Sequence, residues 1–360
     1  MTRRLSDGSV WRLTRATLKP SLSLRLYATG IGVARDDAEA TKWFMKAAEN
    51  GNAAAQYNMG VRYAYGQGIP KDNKEAAFWF RKSGEQGFAP GQLGIAAGYA
   101  NGLGVPQDKT EALKWYTKAA EQGLVEAQVQ AGIMFSRAEG TPVNYQQALF
   151  WFERAATQKN ADAEFNLGVI FEHGYGVDRD AGKAAEYYGR AADHGSSAAL
   201  SNLGALYQRG VGVPQDQQKA LKLYTMAAEK GVFEAQNYLA GAYLTGNGVQ
   251  KDATQAAKWM QLAAAHGNAA TECNLAILYE TGMGLPQSYK DALTWYQKSA
   301  EQGFAQAQHN LGAFYAEGLG TTKDLVKAYQ WLLLAERRGD KDSQQALDSL
   351  KPRMTTGQIA

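Results

Sequence analysis

A 36-residue periodicity runs through this chain without insertion or deletion. Stepping by that interval from Trp43 meets Trp79, Trp115, Trp151, Tyr187, Leu223, Trp259, Trp295 and Trp331. Stepping from Ala40 meets alanine every time: Ala76, Ala112, Ala148, Ala184, Ala220, Ala256, Ala292 and Ala328. Stepping from Tyr27 meets only aromatic residues, from Tyr63 and Tyr99 through Phe135 and Phe171 to Tyr315. A register held from about residue 27 to 340 demands a stack of like units rather than one closed globule. The copies also form an alignment inside a single chain. Positions that recur serve packing, and positions that vary are free for another task.

One unit is legible over residues 53–88. Met59, Gly60 and Tyr63 fall on one helical face. Gly66 then gives a helix-ending signal that needs left-handed backbone. After a short loop, Asp72 is placed to cap a second helix, with Glu75 three residues on. That helix, over about 73–85, turns Ala76, Trp79, Phe80 and Ser83 to its packing face, and Gly87 closes it. The small column through Ala47, Ser83, Ala119, Ala155, Ala191, Ala227, Ala263, Ser299 and Ala335 marks a contact without room for bulk. Five of the 8 prolines (Pro70, Pro106, Pro142, Pro214, Pro286) share one loop slot, where they break no helix.

The unit resembles the Sel-1-like repeat (SLR), a relative of the tetratricopeptide repeat. The resemblance rests on A-x-x-x-L-G-x-x-Y in the first helix, G-x-G-V-P-x-D in the loop and A-x-x-W-[YF]-x-x-A-A-x-x-G in the second helix. One clear instance is Leu203, Gly204 and Tyr207, then Gly210 to Asp216, then Ala220, Tyr224, Ala227, Ala228 and Gly231. The likeness covers residues 24–340. It implies an all-α fold, a right-handed α/α superhelical solenoid of about nine 36-residue helix–loop–helix repeats that serves as a scaffold for protein interaction.

The expected organisation is a basic tail over 1–20, a degenerate repeat over 21–52, eight full repeats over 53–340, and a capping helix with a tail over 341–360. Leu24 and Pro20 disturb the first helix of the degenerate repeat. At the other end Leu347 keeps the apolar pattern. Asp348 and Lys351 are polar where no further neighbour stacks, and Pro352 ends the helix. The last residues have no periodicity and are expected to be loose. Ala138 stands for a loop glycine, Lys159 for a closing glycine, and Gly182 and Gly189 enter a second helix. Locally weaker packing is expected there.

Charge and composition narrow the function. Lys+Arg 38 against Asp+Glu 35 gives +3, too balanced to call for a polyanion. Hydrophobic residues make up 45%, as in a folded chain. No apolar run reaches the roughly 18 residues of a membrane span, so no membrane insertion is expected. The single Cys273 permits neither an intrachain disulfide framework nor a multi-cysteine zinc site. The start carries Arg3, Arg4, Arg12, Arg15, Lys19 and Arg25 against Asp7, with no continuous apolar core of a secretory signal. Arg-rich and acid-poor also describes a mitochondrial presequence. A cytoplasmic location is expected; a signal sequence missing from this chain would make it periplasmic.

No catalytic, cofactor or metal site is expected. The G-x-G loops recur in nearly every copy, lack a preceding strand and lack the lysine of a phosphate loop, so they read as backbone turns. His194 and His266 precede closing glycines, where partial positive charge suits a helix end. His173 and His309 lie on first helices as surface residues. Cys273 has no adjacent base. Asp36, Asp72, Asp108, Asp180, Asp216, Asp252 and Asp324 share one capping slot rather than forming acid–base pairs.

By resemblance to tetratricopeptide domains, the first helices line a concave surface. The inward slots are then those of Ala54, Tyr57, Asn58, Val61, Ala64 and Tyr65. Asn58, Asn166, Asn202, Asn274 and Asn310 share one slot, and an Asn amide can donate to and accept from a peptide backbone. The same Asn can instead pin a neighbouring repeat. The Tyr65 slot continues through Arg137, His173, Arg209 and Glu317, and the Ala64 slot through Glu172 and Glu280. Across these slots Glu126, Asp162, Glu172, Glu234, Glu280 and Glu317 outnumber Arg137 and Arg209. A slightly acidic surface argues against nucleic acid, whose phosphates need neutralising. It favours other proteins as partners, bound as an extended peptide or helical segment. A scaffold for envelope or exopolysaccharide assembly is the alternative. A hydrolase-like enzyme is the remote one, because members associated with β-lactam binding resemble versions with a cysteine pair per repeat.

Overall fold

The structure, a computed structural model, describes residues 36–359. Those residues form helices and no strand. The described residues divide into two compact units, one up to Arg179 and one from Asp180. In the first unit α1 (Asp37–Glu49), α2 (Ala53–Tyr65), α3 (Asn73–Glu85), α4 (Ala89–Asn101), α5 (Lys109–Glu121), α6 (Val125–Ser136), α7 (Tyr145–Ala156) and α8 (Ala161–His173) follow one another. The second unit holds α9 (Ala181–Asp193), α10 (Ser197–Arg209), α11 (Gln217–Glu229), α12 (Phe233–Thr245), α13 (Ala253–Ala264), α14 (Ala269–Thr281), α15 (Tyr289–Glu301), α16 (Ala305–Glu317), α17 (Leu325–Arg337) and α18 (Lys341–Leu350). Within each unit every helix packs on its neighbours in sequence, which is the stacked-hairpin architecture the periodicity requires. The expectations for the tail 1–20, and for Pro20, Leu24 and Tyr27, lie outside the described residues.

Local chemistry sets the helix ends. All seven aspartates of the capping slot accept a first-turn N–H of the helix they precede, as in Asp108 from Glu111 N at 3.0 Å. Asn144 and Ser288 fill the same slot in the two copies that lack Asp. Gly66, Gly102, Gly174, Gly210, Gly246, Gly282 and Gly318 end the first helices with φ between +66 and +80, a region that favours glycine.

The second loop glycine does more than turn the chain. A Cβ on Gly68 would overlap the carbonyl of Asp37, one on Gly104 that of Asn73, and one on Gly284 that of Ala253. These loops therefore rest their backbone on the first residue of the second helix of the repeat before them, whereas Gly176 and Gly248 meet the side chains of Tyr145 and Gln217 there. Inside the hairpins, a small residue of one helix admits a large side chain of its partner. A Cβ on Gly132 would come within 2.6 Å of Phe152, and one on Gly312 within 2.7 Å of Leu332. The alanine column is buried throughout, and Ser83 and Ser299 in the neighbouring small column donate to the carbonyls of Ala53 and Ala269.

A buried polar ladder, unforeseen from the sequence, joins successive repeats. Gln56, Gln92, Gln128, Gln236 and Gln308 occupy one slot of the first helices and are nearly inaccessible. Each donates Nε2 to a carbonyl at the end of the preceding second helix: Ala48, Gly84, Ala120, Ala228 and Ala300, at 3.0–3.2 Å. The Oε1 atoms of three accept from the end of the following second helix, Gln86 to Gln56, Gln122 to Gln92 and Gln158 to Gln128, whereas Gln308 Oε1 is buried without a protein partner. His266 takes that place beside Gln236, its Nε2 3.1 Å from Oε1. One side chain thus ties two consecutive second helices and satisfies carbonyls that a helix end leaves open. Glu272 replaces Gln in this slot and accepts from Gln302 at 2.6 Å.

Ala138 and Lys159, the two departures from the glycine pattern, are the only non-glycine residues with positive φ among those described, at 58° and 60°. Left-handed backbone costs an L-residue about 1–2 kcal/mol, and part of that is offset by the greater freedom of glycine when unfolded. Ala138→Gly and Lys159→Gly are each expected to raise stability by about 0.5–1 kcal/mol. Urea melts of the two variants would check this; a loss of stability would mean that the side chains contribute packing of their own.

At the C-terminus, Leu347 and Leu350 of α18 pack with Ala328 and Leu332. Asp348 pairs with Lys351 at 3.4 Å on the open side, and that lysine together with Gln344 holds its carboxyl below the usual range. Lys351–Arg353 forms a 3-10 turn, Met354 packs against the α17–α18 cluster, and Thr356–Ile359 makes a last helical turn α19. Pro352 sits in the first turn of the 3-10 segment, where its missing N–H costs nothing.

Candidate functional site

The variable slots of the first helices lie toward the surface of each unit, and each unit has a cavity between two of its first helices, α2 and α4 in the first and α12 and α14 in the second. In the first unit, small residues on α4 open an apolar trough of about 350 Å³ between α2 and α4. Tyr57, Val61 and Tyr65 form one wall; Pro90, Leu93 and Ala97 form the other, with Phe80 beneath. Gly94 stands where five other copies carry Asn, and its bare Cα lies against Phe80: a Cβ there would come within 2.6 Å of the ring. Gly98 takes a slot that five other copies fill with a large apolar residue, as Met134 and Ile170 do. Tyr65 is 75% exposed and Leu103 51%, so the trough is rimmed by apolar surface that faces solvent. No charged side chain lines it. The expected residues Tyr57 and Tyr65 meet here. The residues opposite were missed, although two glycines breaking the columns at 94 and 98 were the available signal.

The recurrent asparagines behave in different ways. Asn58 and Asn166 donate Nδ2 to the carbonyls of Ala54 and Asp162, four residues back in their own helices, at 2.8 and 2.7 Å. That leaves Oδ1 as the outward acceptor. Asn310 instead faces the hydroxyl of Tyr296 on the preceding helix. Asn202 lies half-buried on α10 and Asn274 exposed on α14. Arg137 is exposed at the end of α6, and the exposed His173 lies 5.2 Å, ring to ring, from Tyr175. Glu172 stands half-buried beside it on α8.

Several carboxylates and cations of the expected surface have partners inside the fold. Tyr296, fully buried, donates to Glu280, and burial beside that carboxylate pushes its hydroxyl well above the usual range. Glu317 pairs with Arg353 at 3.0 Å. Arg209 donates Nε to the carbonyl of Ala205. His309, expected at the surface, is corrected: it is half-buried, 2.9 Å from Ser343 Oγ and 3.4 Å from Asp340, and links α16 to α18. Cys273 is fully buried, and desolvation with Glu280 nearby pushes its thiol up to about 12, far from a nucleophile's range. Among the described residues no group of three or more His, Cys, Asp or Glu could hold a metal ion. No described helix is long and apolar enough to cross a membrane.

The model of the Sel1 repeat matches this chain nine times, over 21–52, 53–88, 89–124, 125–160, 161–196, 197–232, 233–268, 269–304 and 305–340. The chain belongs to the Sel1 repeat family. Two solved Sel1-type structures are similar over most of its length. One is a protective antigen present in uropathogenic Escherichia coli strains, displaying an SLR fold: 32% identity, TM-score 0.76, covering 95% of this chain and 74% of that one. The other is a Sel1 repeat protein from Oxalobacter formigenes: 33% identity, TM-score 0.66, covering 86% and 89%. No curated protein matches the sequence. Sel1 repeat proteins generally mediate protein–protein interaction, and the family is one of non-enzymatic scaffolds.

Proposed function

We propose that this Sel1 repeat protein is a non-catalytic adaptor that holds segments of partner proteins against its first helices, with the α2–α4 trough as principal anchor. The trough carries the reading: a preformed apolar concavity with exposed tyrosine on its rim is the kind of surface that takes a buried anchor side chain. The stacked hairpins around it hold the receptor in place, so little free energy goes into ordering it on binding. The outward Oδ1 atoms of Asn58 and Asn166 suit the backbone N–H groups of a bound segment. The burial of Cys273 and its raised pKa support a role without nucleophilic chemistry.

Ala97→Phe should fill the trough, and Tyr65→Ala should lower its rim. Each is expected to weaken partner capture about tenfold, the effect of losing one modest anchor, with unchanged far-ultraviolet circular dichroism. Crosslinking and mass spectrometry from native lysate is the measurement, with a photoreactive crosslinker that needs no particular side chain, because α2 and α4 hold neither lysine nor carboxylate. Partner crosslinks should cluster on α2 and α4 and fade in both variants; crosslinks confined to the second helices would overturn the reading.

A further inference from the structure

The exposed side of the first unit changes character along its length. At the six variable slots, α2 and α4 carry no charged residue. At the same slots α6 and α8 carry Glu126, Asp162 and Glu172 against Arg137. Two of these carboxylates are arranged in a particular way. Pro90, which lines the trough, occupies the second position of α4; Glu126 and Asp162 occupy the second positions of α6 and α8. Both are exposed, and neither makes an ion pair among the described residues. A chain leaving the trough past Pro90 along this edge therefore meets one unneutralised carboxylate per repeat.

Building on the adaptor reading, we infer that the first unit takes an extended, bipartite segment: an apolar anchor in the α2–α4 trough, followed by lysine or arginine residues that meet Glu126 and Asp162. Packed helices stand about 8–10 Å apart and an extended chain advances about 3.3 Å per residue. The first helices α4, α6 and α8 touch one another little, so each step takes at least about three residues, with Glu126 met before Asp162. Exposed ion pairs of this kind contribute weakly one by one, so the carboxylates set direction and choice of partner while the trough supplies most of the affinity. An acidic segment would place like charges against both carboxylates and is selected against.

The test is selection of a displayed random-peptide library on the full chain, with read-out of the recovered sequences. The expected result is peptides with an apolar residue and, on one side of it, successive Lys or Arg residues spaced at least about three positions apart. Their binding should be lost in Ala97→Phe and in Tyr65→Ala. It should weaken about five- to tenfold in the double variant Glu126→Lys, Asp162→Lys, and fall as salt is raised. Trough-dependent peptides that are neutral or acidic, or are indifferent to the double charge reversal, would overturn the bipartite inference and leave the anchor standing. Peptides indifferent to Ala97→Phe and Tyr65→Ala, or no enrichment at all, would overturn both.

Discussion

Gly104→Ala is expected to cost about 3–5 kcal/mol, the sum of left-handed backbone strain and a steric clash that only backbone movement can relieve. Gly104 has φ +77, and a Cβ there would overlap the carbonyl oxygen and carbon of Asn73. The obstacle is main chain at the start of α3, with no flexible side chain to yield. Gly123→Ala is the matched control. Its φ of +90 carries similar torsional strain, but nothing lies within 4 Å of its Cβ, so a loss of about 1–2 kcal/mol is expected. Urea denaturation of the two variants separates the effects. Equal losses would show that the loop does not depend on touching the preceding repeat. The same contrast should hold for Gly68 or Gly284 against Gly87, because the pairs occupy equivalent slots.

Glu272→Gln is expected to stabilise the second unit by about 1–2 kcal/mol near neutral pH, the worth of a buried hydrogen bond together with relief of a desolvated charge. The five glutamines in this slot donate to the carbonyl eight residues earlier, which for Glu272 is that of Ala264. An ionised carboxylate cannot donate, and would set its own charge against that carbonyl. The side chain is 5% exposed, and burial raises its pKa above the usual carboxylate value. Lys298 and the hydrogen bond from Gln302 on the following helix and its end pull the other way. On α13, Lys258 lies over the Trp259 ring, and His266 just beyond is engaged with Gln236; on α16, His309 is held by Ser343.

Because the folded pKa is raised, the protonated glutamic acid contributes stability that is complete below the unfolded value of about 4.3 and is lost as pH rises through the folded value. Wild type and variant should therefore melt alike in acid and diverge as pH increases, with the variant the more stable. A stability difference independent of pH would show that Glu272 is not the titrating group.

The repeat made most of the fold readable because its glycines, alanines and aspartates answer demands met within one hairpin or its loop. Asp72 caps because the next N–H groups in sequence are open, and Gly66 turns because its own torsion requires it. The glutamine column at Gln56, Gln92 and Gln128 recurs as plainly as these. Yet a polar residue on a helix reads as exposed until the end of a preceding helix is known to cover it. The trough was hidden for a different reason. Tyr57 and Tyr65 were visible candidates, but the cavity is made by what α4 lacks at Gly94 and Gly98, and the missing volume shows only when two repeats are set side by side. Glu280 and Glu317 looked like free surface charge because their partners Tyr296 and Arg353 sit 16 and 36 residues further along the chain.

The loop glycine resting on the helix before it, and the glutamine bridging two helix ends, involve adjacent copies and nothing farther away. A gene encoding such a chain can gain or lose a whole 36-residue cassette by unequal recombination, and the new junction reproduces the seam it replaced. Array length can then drift under selection for reach, while each newly duplicated copy begins with an unspecialised outer surface on which a different recognition patch can evolve.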